Sequence, residues 1–154
     1  MTEIQDKIGG IDVTAKEFLS RALTLDKEIR SKKEQIDELR SMQTSIGSSL
    51  VGGIGTKGHH KDRLGDLSAA VMDLIDDYIM DVTRLLLIKS EIKKAVSLLE
   101  DPIQRLLLEE RYINIKLWEK IAEDNYMSWD TVHRLHRKAI SCIEQLHSEG
   151  KVNY

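Results

Sequence analysis

Of the 154 residues, one is cysteine, one proline and one phenylalanine. A single cysteine excludes an internal disulfide framework and suits a reducing compartment. So little proline and aromatic content, against abundant Leu, Ile, Lys and Glu, speaks against a sheet with its many turns and for long helices, so an all-α fold is expected. No apolar run approaches the roughly 18 residues of a membrane span, and no apolar stretch follows a basic start; a cytoplasmic protein is expected. An excess of one charge is also missing. The net charge is −3, and the segments 1–46, 47–100 and 101–154 each carry one more acid than base. That balance excludes binding to nucleic acid by bulk attraction and leaves room only for a local basic patch. Signs of catalysis are absent too: no paired carboxylates in a pocket pattern and no nucleophile with a positioned base. The segment GGIGTKG lacks the spacing of a phosphate-binding loop. His59-His60 lacks further ligands at metal-binding spacing. The chain therefore reads as a non-enzyme without metal or cofactor.

What is present is helical periodicity. Residues 1–12, polar with Gly9-Gly10, read as a flexible lead-in. From Val13 to about Met42, the residues Phe18, Ala22, Leu25, Ile29, Ile36 and Leu39 follow a heptad-like seam, interrupted where Lys32 takes a seam position. A second helix is expected from about Leu64 to Leu99, with Leu67, Val71, Leu74, Tyr78, Val82, Leu85, Ile92, Val96 and Leu99 on its seam. At 1.5 Å per residue the two helices span roughly 45 and 50 Å. Stripes this narrow need a partner. Residues 47–61 hold five of the nine glycines and read as a linker, so 13–99 is expected to form a long two-helix coiled-coil hairpin. Leu85 to Ile88 widen the apolar face where a further contact is required, with the terminal domain or with a second copy in a homodimer.

A boundary is expected at Asp101-Pro102, a capping residue followed by a proline at the first helical position. Residues 100–147 then read as a small helix-turn-helix domain, and 148–154 as a flexible tail. Ile103, Leu106, Leu107 and Tyr112 form the expected inner face of its first helix. Leu117 to Asp124 form the next helix, with Trp118, Ile121 and Ala122 inward. Ser128 caps the last helix, whose core stripe reads Val132, Leu135, Ala139, Cys142 and Leu146. Cys142 is thus a small buried hydrophobe rather than a reactive thiol.

The outward face of that helix carries Trp129, Asp130, His133, Arg134, Arg137 and Lys138. Over residues 128–140, Arg134, Arg137 and Lys138 stand against Asp130 alone. Such a face suits double-stranded DNA. Arg134 or Arg137 is fit to grip guanine in two places, Asp130 to accept from a cytosine amino group or orient an arginine, and Trp129 to pack on a thymine methyl. Thr131, Lys138, Lys116 and Lys120 are candidates for phosphate. His133 and His136 are within reach of the same backbone, although a histidine hydrogen-bonded inside the domain is the plainer reading of His136.

Asp101-Pro102, Leu106 to Leu108, Arg111-Tyr112, Trp118-Glu119-Lys120-Ile121-Ala122-Glu123 and Ser128 with Thr131-Val132 resemble the fourth region of sigma-70 type factors. With the charged helix LSRALTLDKEIRSKKEQIDEL, the glycine-rich break and VHRLHRKAI, the whole chain is similar to phage-encoded transcriptional regulators of the ArpU and RinA type. That resemblance implies a bacterial host cell and a role in switching on prophage late genes. Three positions depart from the pattern. Ile115 and Tyr126 stand where glycines are usual, and Leu117 replaces a capping serine, so a different turn geometry is expected. The function expected is sequence-specific DNA binding as a dimer. Its rival is a protein-binding adaptor acting on RNA polymerase or a repressor through the helical hairpin.

Overall fold

The computed structural model describes residues 13–52 and 57–154, with no account of the side chains of 50–52 and 57–61. The lead-in 1–12 lies outside the described residues. The described chain is all-α: α1 (Ala15–Gly52), α2 (Lys57–Ser97), α3 (Pro102–Leu108) continued by a π turn (Glu109–Ile113), α4 (Trp118–Asp124) and α5 (Trp129–Ser148). Among the described residues no helix is long and apolar enough to cross a membrane. The described residues divide into two compact units, one of Thr24–Ile88 and one of the residues up to Leu23 together with Lys89–Tyr154.

In the Thr24–Ile88 unit, α1 and α2 form an antiparallel pair. Lys32 meets Asp81, and Gln43 Nε2 donates to Ser68 Oγ at 3.1 Å. Moving forward along α1 thus corresponds to moving back along α2. The expected seams face inward here: Leu25, Ile29, Ile36, Val71 and Leu85 are buried, and Leu39, Leu67, Leu74, Tyr78 and Val82 are half-buried. Lys32, the seam's one charged member, is satisfied by Asp81, which holds its ammonium pKa above the ordinary lysine value.

Both helices run well into the segment 47–61 that reads as a linker; residues 53–56 and the side chains of His59 and His60 lie outside the described residues. Ser and Thr hydroxyls are accommodated along this continuation. Thr44 donates to Arg40 O at 3.1 Å and Ser48 to Thr44 O at 2.8 Å, which satisfies them without breaking the helical ladder. Gly47 costs helix propensity, about 1 kcal/mol relative to Ala, and ends nothing.

The second unit does not begin at Asp101. The first turns of α1 and the last of α2 belong to it, with Ala15, Phe18, Leu19, Ala22, Ile92, Ala95, Val96 and Leu99 all buried. Thr14 and Glu17 form a reciprocal capping box at the start of α1, Glu17 N donating to Thr14 Oγ1 at 3.2 Å and Thr14 N to Glu17 Oε2 at 2.8 Å. Asp101 caps α3 as expected, its Oδ1 accepting from Ile103 N at 2.8 Å, with Pro102 in the first turn.

The face of α3 is rotated from the expected one. Leu107 and Tyr112 are buried as expected, but Ile103 and Leu106 are exposed, and Gln104, Leu108 and Glu110 are buried in their place. Two contacts set this rotation: Arg105 donates to the carbonyls of Leu99 and Glu100, pinning α3 to the end of α2, and the π turn takes in an extra residue that swings Tyr112 inward.

The tail 148–154 is not loose. Gly150, at φ 72°, reverses the chain, Lys151 N donating to Leu146 O and Gly150 N to His147 O at 2.9 Å each. This left-handed cap returns Val152 to a buried position. It also stacks Tyr154 on Phe18 and His147, with ring centroids 4.8 and 4.0 Å apart.

Candidate nucleic-acid interface

Leu107, Ile121 and Val132 form the sealed centre of the α3–α4–α5 arrangement, with Trp118, Ala122, Met127 and Leu135 packed around it. The connection from α4 to α5 is short because α4 ends in a left-handed cap: Met127 N reaches back to Ala122 O at 2.9 Å and Tyr126 N to Glu123 O at 3.2 Å. Tyr126 holds φ 53° there, and Ile115, after the π turn, holds φ 57°. The altered turn geometry expected from the missing glycines is thus not what forms. Both positions keep the left-handed conformation with a side chain in it, at a cost of about 1–2 kcal/mol each. Met127 sits in the core cluster and compensates at the Tyr126 turn. Leu117 begins α4 with no side-chain cap, as its chemistry requires.

Ser128 caps α5, accepting from Thr131 N at 3.2 Å. Its hydroxyl also pairs with Thr131 Oγ1 at 2.8 Å, so the Thr131 hydroxyl already has a partner at the helix start. Along α5 the buried residues are Val132, His136, Ala139 and Ile143, flanked by half-buried Leu135, Cys142 and Leu146. The burial stripe is centred one residue beyond the stripe read from apolar spacing, because His136 has a partner in the core. Its Nε2 lies 2.9 Å from Tyr112 Oη. Burial, with the positive charges of His133, Lys16, Arg111 and Arg137 contributing, depresses the imidazole to about 4, and burial raises the Tyr112 phenol. Both groups are neutral at neutral pH, which suits a phenol donating to an imidazole nitrogen.

Among the candidate DNA-facing side chains, Asp130, Arg134, Arg137 and Lys138 are exposed on α5, and Trp129 is 48% exposed. His133 is not on that surface. Its ring lies between Trp129 and Trp118, with centroids 4.3 and 5.0 Å away, and its Nε2 is buried without a hydrogen-bond partner. Arg134, Arg137 and Lys138 line a groove of 450 Å³ with Ser141, Cys142 and Gln104 of α3. None of these three cations is in an ion pair among the described residues.

Lys116 and Lys120 differ. Lys116 Nζ reaches Glu110 Oε1 at 2.8 Å and Asp124 Oδ2 at 2.9 Å, and Lys120 reaches Glu123 and Asp124 at 3.0 Å each. These hydrogen bonds raise both ammonium groups above the ordinary lysine value and lower Asp124 below the usual carboxylate range. Charge that is expected to face phosphate is balanced within the domain.

Sequence reading missed the frame behind this surface. Glu110 is buried, accepting from Lys116 on one oxygen and from Asn125 Nδ2 at 2.7 Å on the other, so it ties the π turn to the end of α4. Arg111 spreads over Trp118 at 5.0 Å and donates to Lys116 O at 2.7 Å. The only sequence signal for this frame was Arg111-Tyr112 within the sigma-like pattern. Gln104, a polar residue beside the cations, had no signal at all. Among the described residues no group of three or more His, Cys, Asp or Glu is arranged to hold a metal ion. Comparison with protein-family models, with curated proteins and with solved structures finds no match.

Proposed function

We propose that this protein is a sequence-specific DNA-binding regulator of transcription, acting in the cytoplasm of a bacterial host, whose α5 enters the major groove. One observation carries this reading: Arg134, Arg137 and Lys138 are exposed together on one helix and unpaired among the described residues, while Lys116, Lys120 and Lys151 of the same C-terminal segment are each bonded to a carboxylate. Three neighbouring cations without carboxylate partners on one helix face are suited to an anion from outside. Arg134 and Arg137 grip base edges, with Asp130 and Trp129 refining the choice, while Lys138 meets phosphate. His133 acts from behind, holding Trp129 in place by ring contact. Few cations per chain mean weak binding by one copy, so a homodimer reading two half-sites completes the proposal. The resemblance to ArpU and RinA type regulators points to control of phage or prophage late genes.

The adaptor reading has one observation in its favour, the ion-paired Lys116 and Lys120, which remove two cations from the surface. A binding selection from a random DNA library, followed by gel shifts at two salt concentrations, separates the readings. DNA binding weakens steeply as salt rises, because bound phosphates release counterions. Replacing Arg134 and Arg137 by Ala abolishes binding to the selected site with helicity and mass unchanged. Unchanged affinity in that variant, or no selected site from the wild type, overturns the DNA reading and favours the adaptor.

A further inference from the structure

The outward face of α2 carries an apolar stripe that the antiparallel pairing with α1 does not use. Met72, Ile79 and Leu86 recur every seven residues, as do Met80 and Leu87, and their exposures run from 55% for Ile79 to 69% for Met80. The seam residues Val71 and Leu85 are buried on the other side of the same helix. Five large apolar side chains within five turns share one exposed helix face, with Asp76 and Thr83 between them, and such exposed apolar surface marks an interaction site. A heptad repeat is also the period at which a helix packs along another helix.

Two features identify the occupant. The pattern is self-complementary: turned end for end about the midpoint between Ile79 and Met80, Met72 falls opposite Leu87, Ile79 opposite Met80, and Thr83 opposite Asp76. Its charges are polarised in the same sense. Asp73, Asp76 and Asp77 lie exposed in the first half, without ion-pair partners among the described residues, and Arg84 lies exposed and equally unpaired in the second. A parallel copy would set acid against acid. An antiparallel copy sets the acidic half of each helix beside the partner's Arg84, twice by symmetry. A two-fold interface requires a patch that complements itself in this way.

We infer that Met72, Ile79, Met80, Leu86 and Leu87 form the seam of an antiparallel α2–α2 homodimer, with Asp73 facing Arg84 beside it and Asp76 facing Thr83. It deepens the proposed function by naming the surface through which two copies join, and it is measurable without DNA. The test is the mass of the full chain in solution at micromolar concentration, by light scattering and sedimentation. The wild type has twice the 17.6 kDa of one chain. The triple variant Met72→Glu, Met80→Glu, Leu87→Glu runs as a monomer with unchanged helical circular dichroism, because all three side chains are exposed. Arg84→Asp weakens the dimer at least tenfold, and combining it with Asp73→Arg restores most of the loss.

A monomeric wild type, or a triple variant that stays dimeric, overturns the inference. A charge swap that fails to restore association overturns the antiparallel arrangement. The Arg134→Ala, Arg137→Ala variant keeps the wild-type mass, so loss of DNA binding there with an intact dimer tests the DNA reading alone. A dimer that binds no DNA overturns that reading and leaves this one standing.

Discussion

His136 is buried among positive charges and bonded to a phenol, so acid should undo the helix-turn-helix unit in a predictable window. The imidazole stands near 4 in the folded protein against an ordinary 6.5. Between those values the unfolded chain binds a proton that the folded chain refuses. Stability therefore rises with pH through this range: it is complete above the ordinary histidine value and is lost as pH falls toward the folded one. Integrating the difference from about pH 7.5 to about pH 5 gives a loss of about 2 kcal/mol from this group alone. That is a large share of the roughly 5–15 kcal/mol that holds a domain of this size together. The control is His136→Gln, which keeps a side chain able to bond Tyr112 but does not titrate. Groups that titrate alike in both proteins cancel in the difference. Urea unfolding followed by tryptophan fluorescence reads the right place, since Trp118 lies 4.6 Å from the His136 ring and the other tryptophan, Trp129, is on the same helix as His136. Wild-type stability should fall relative to the variant by about 2 kcal/mol over that interval. Parallel curves for the two proteins would refute a buried, neutral His136.

Tyr126 is 98% exposed and left-handed, so Tyr126→Gly removes strain and gives up almost no buried surface. The relief of about 1–2 kcal/mol exceeds the roughly 0.5–1 kcal/mol that glycine adds in chain entropy, for a net gain near 1 kcal/mol. Thermal unfolding should shift upward by about 2–4 °C, whereas Tyr126→Ala should not; a lowered midpoint for the glycine variant would sink the strain argument. Glu110→Ala takes away the buried acceptor for the Asn125 amide and should cost about 1–2 kcal/mol in urea unfolding. Glu110→Gln keeps an acceptor and should cost less than half as much; equal losses would show that the hydrogen bond to Asn125 is not what matters.

The long-helix seams were legible because a narrow repeating apolar stripe on a charged cylinder has one way to be buried. Phe18, Ala22, Leu25, Ile29, Ile36 and their counterparts on α2 all turned inward. The inward face of α4 was also legible, with Ile121 buried and Trp118 and Ala122 packed against it, whereas parts of the α3 and α5 faces were read one residue out of place. A stripe about 100° wide admits either Leu135 and Cys142 or His136 and Ile143, and apolar scoring prefers the leucine. Tyr112 reverses that preference by giving His136 a hydrogen bond in the core, and Tyr112 is there because the π turn carries it inward.

The candidate site divides in the same way. That Arg134, Arg137 and Lys138 share a helix follows from their spacing, and that Ser128 starts the helix follows from its hydroxyl. Whether a lysine is free or paired depends on which carboxylates the fold brings near it. Lys116 is bound to Glu110 and Asp124, from six residues before it and eight after, through two turns that no local pattern describes.

Local chemistry alone determined where α1, α3 and α5 start, which long faces are buried and which cations sit on α5, since capping, periodicity and charge act over a few residues. Tertiary structure decided the rest. It held Ile115 and Tyr126 in a conformation their side chains resist, because surrounding contacts outweigh about 1–2 kcal/mol of local strain. It folded the tail back through Gly150 onto Phe18, and it turned His133 from the surface into a space between two tryptophans. Each of these outcomes is a sum of contacts between residues distant along the chain.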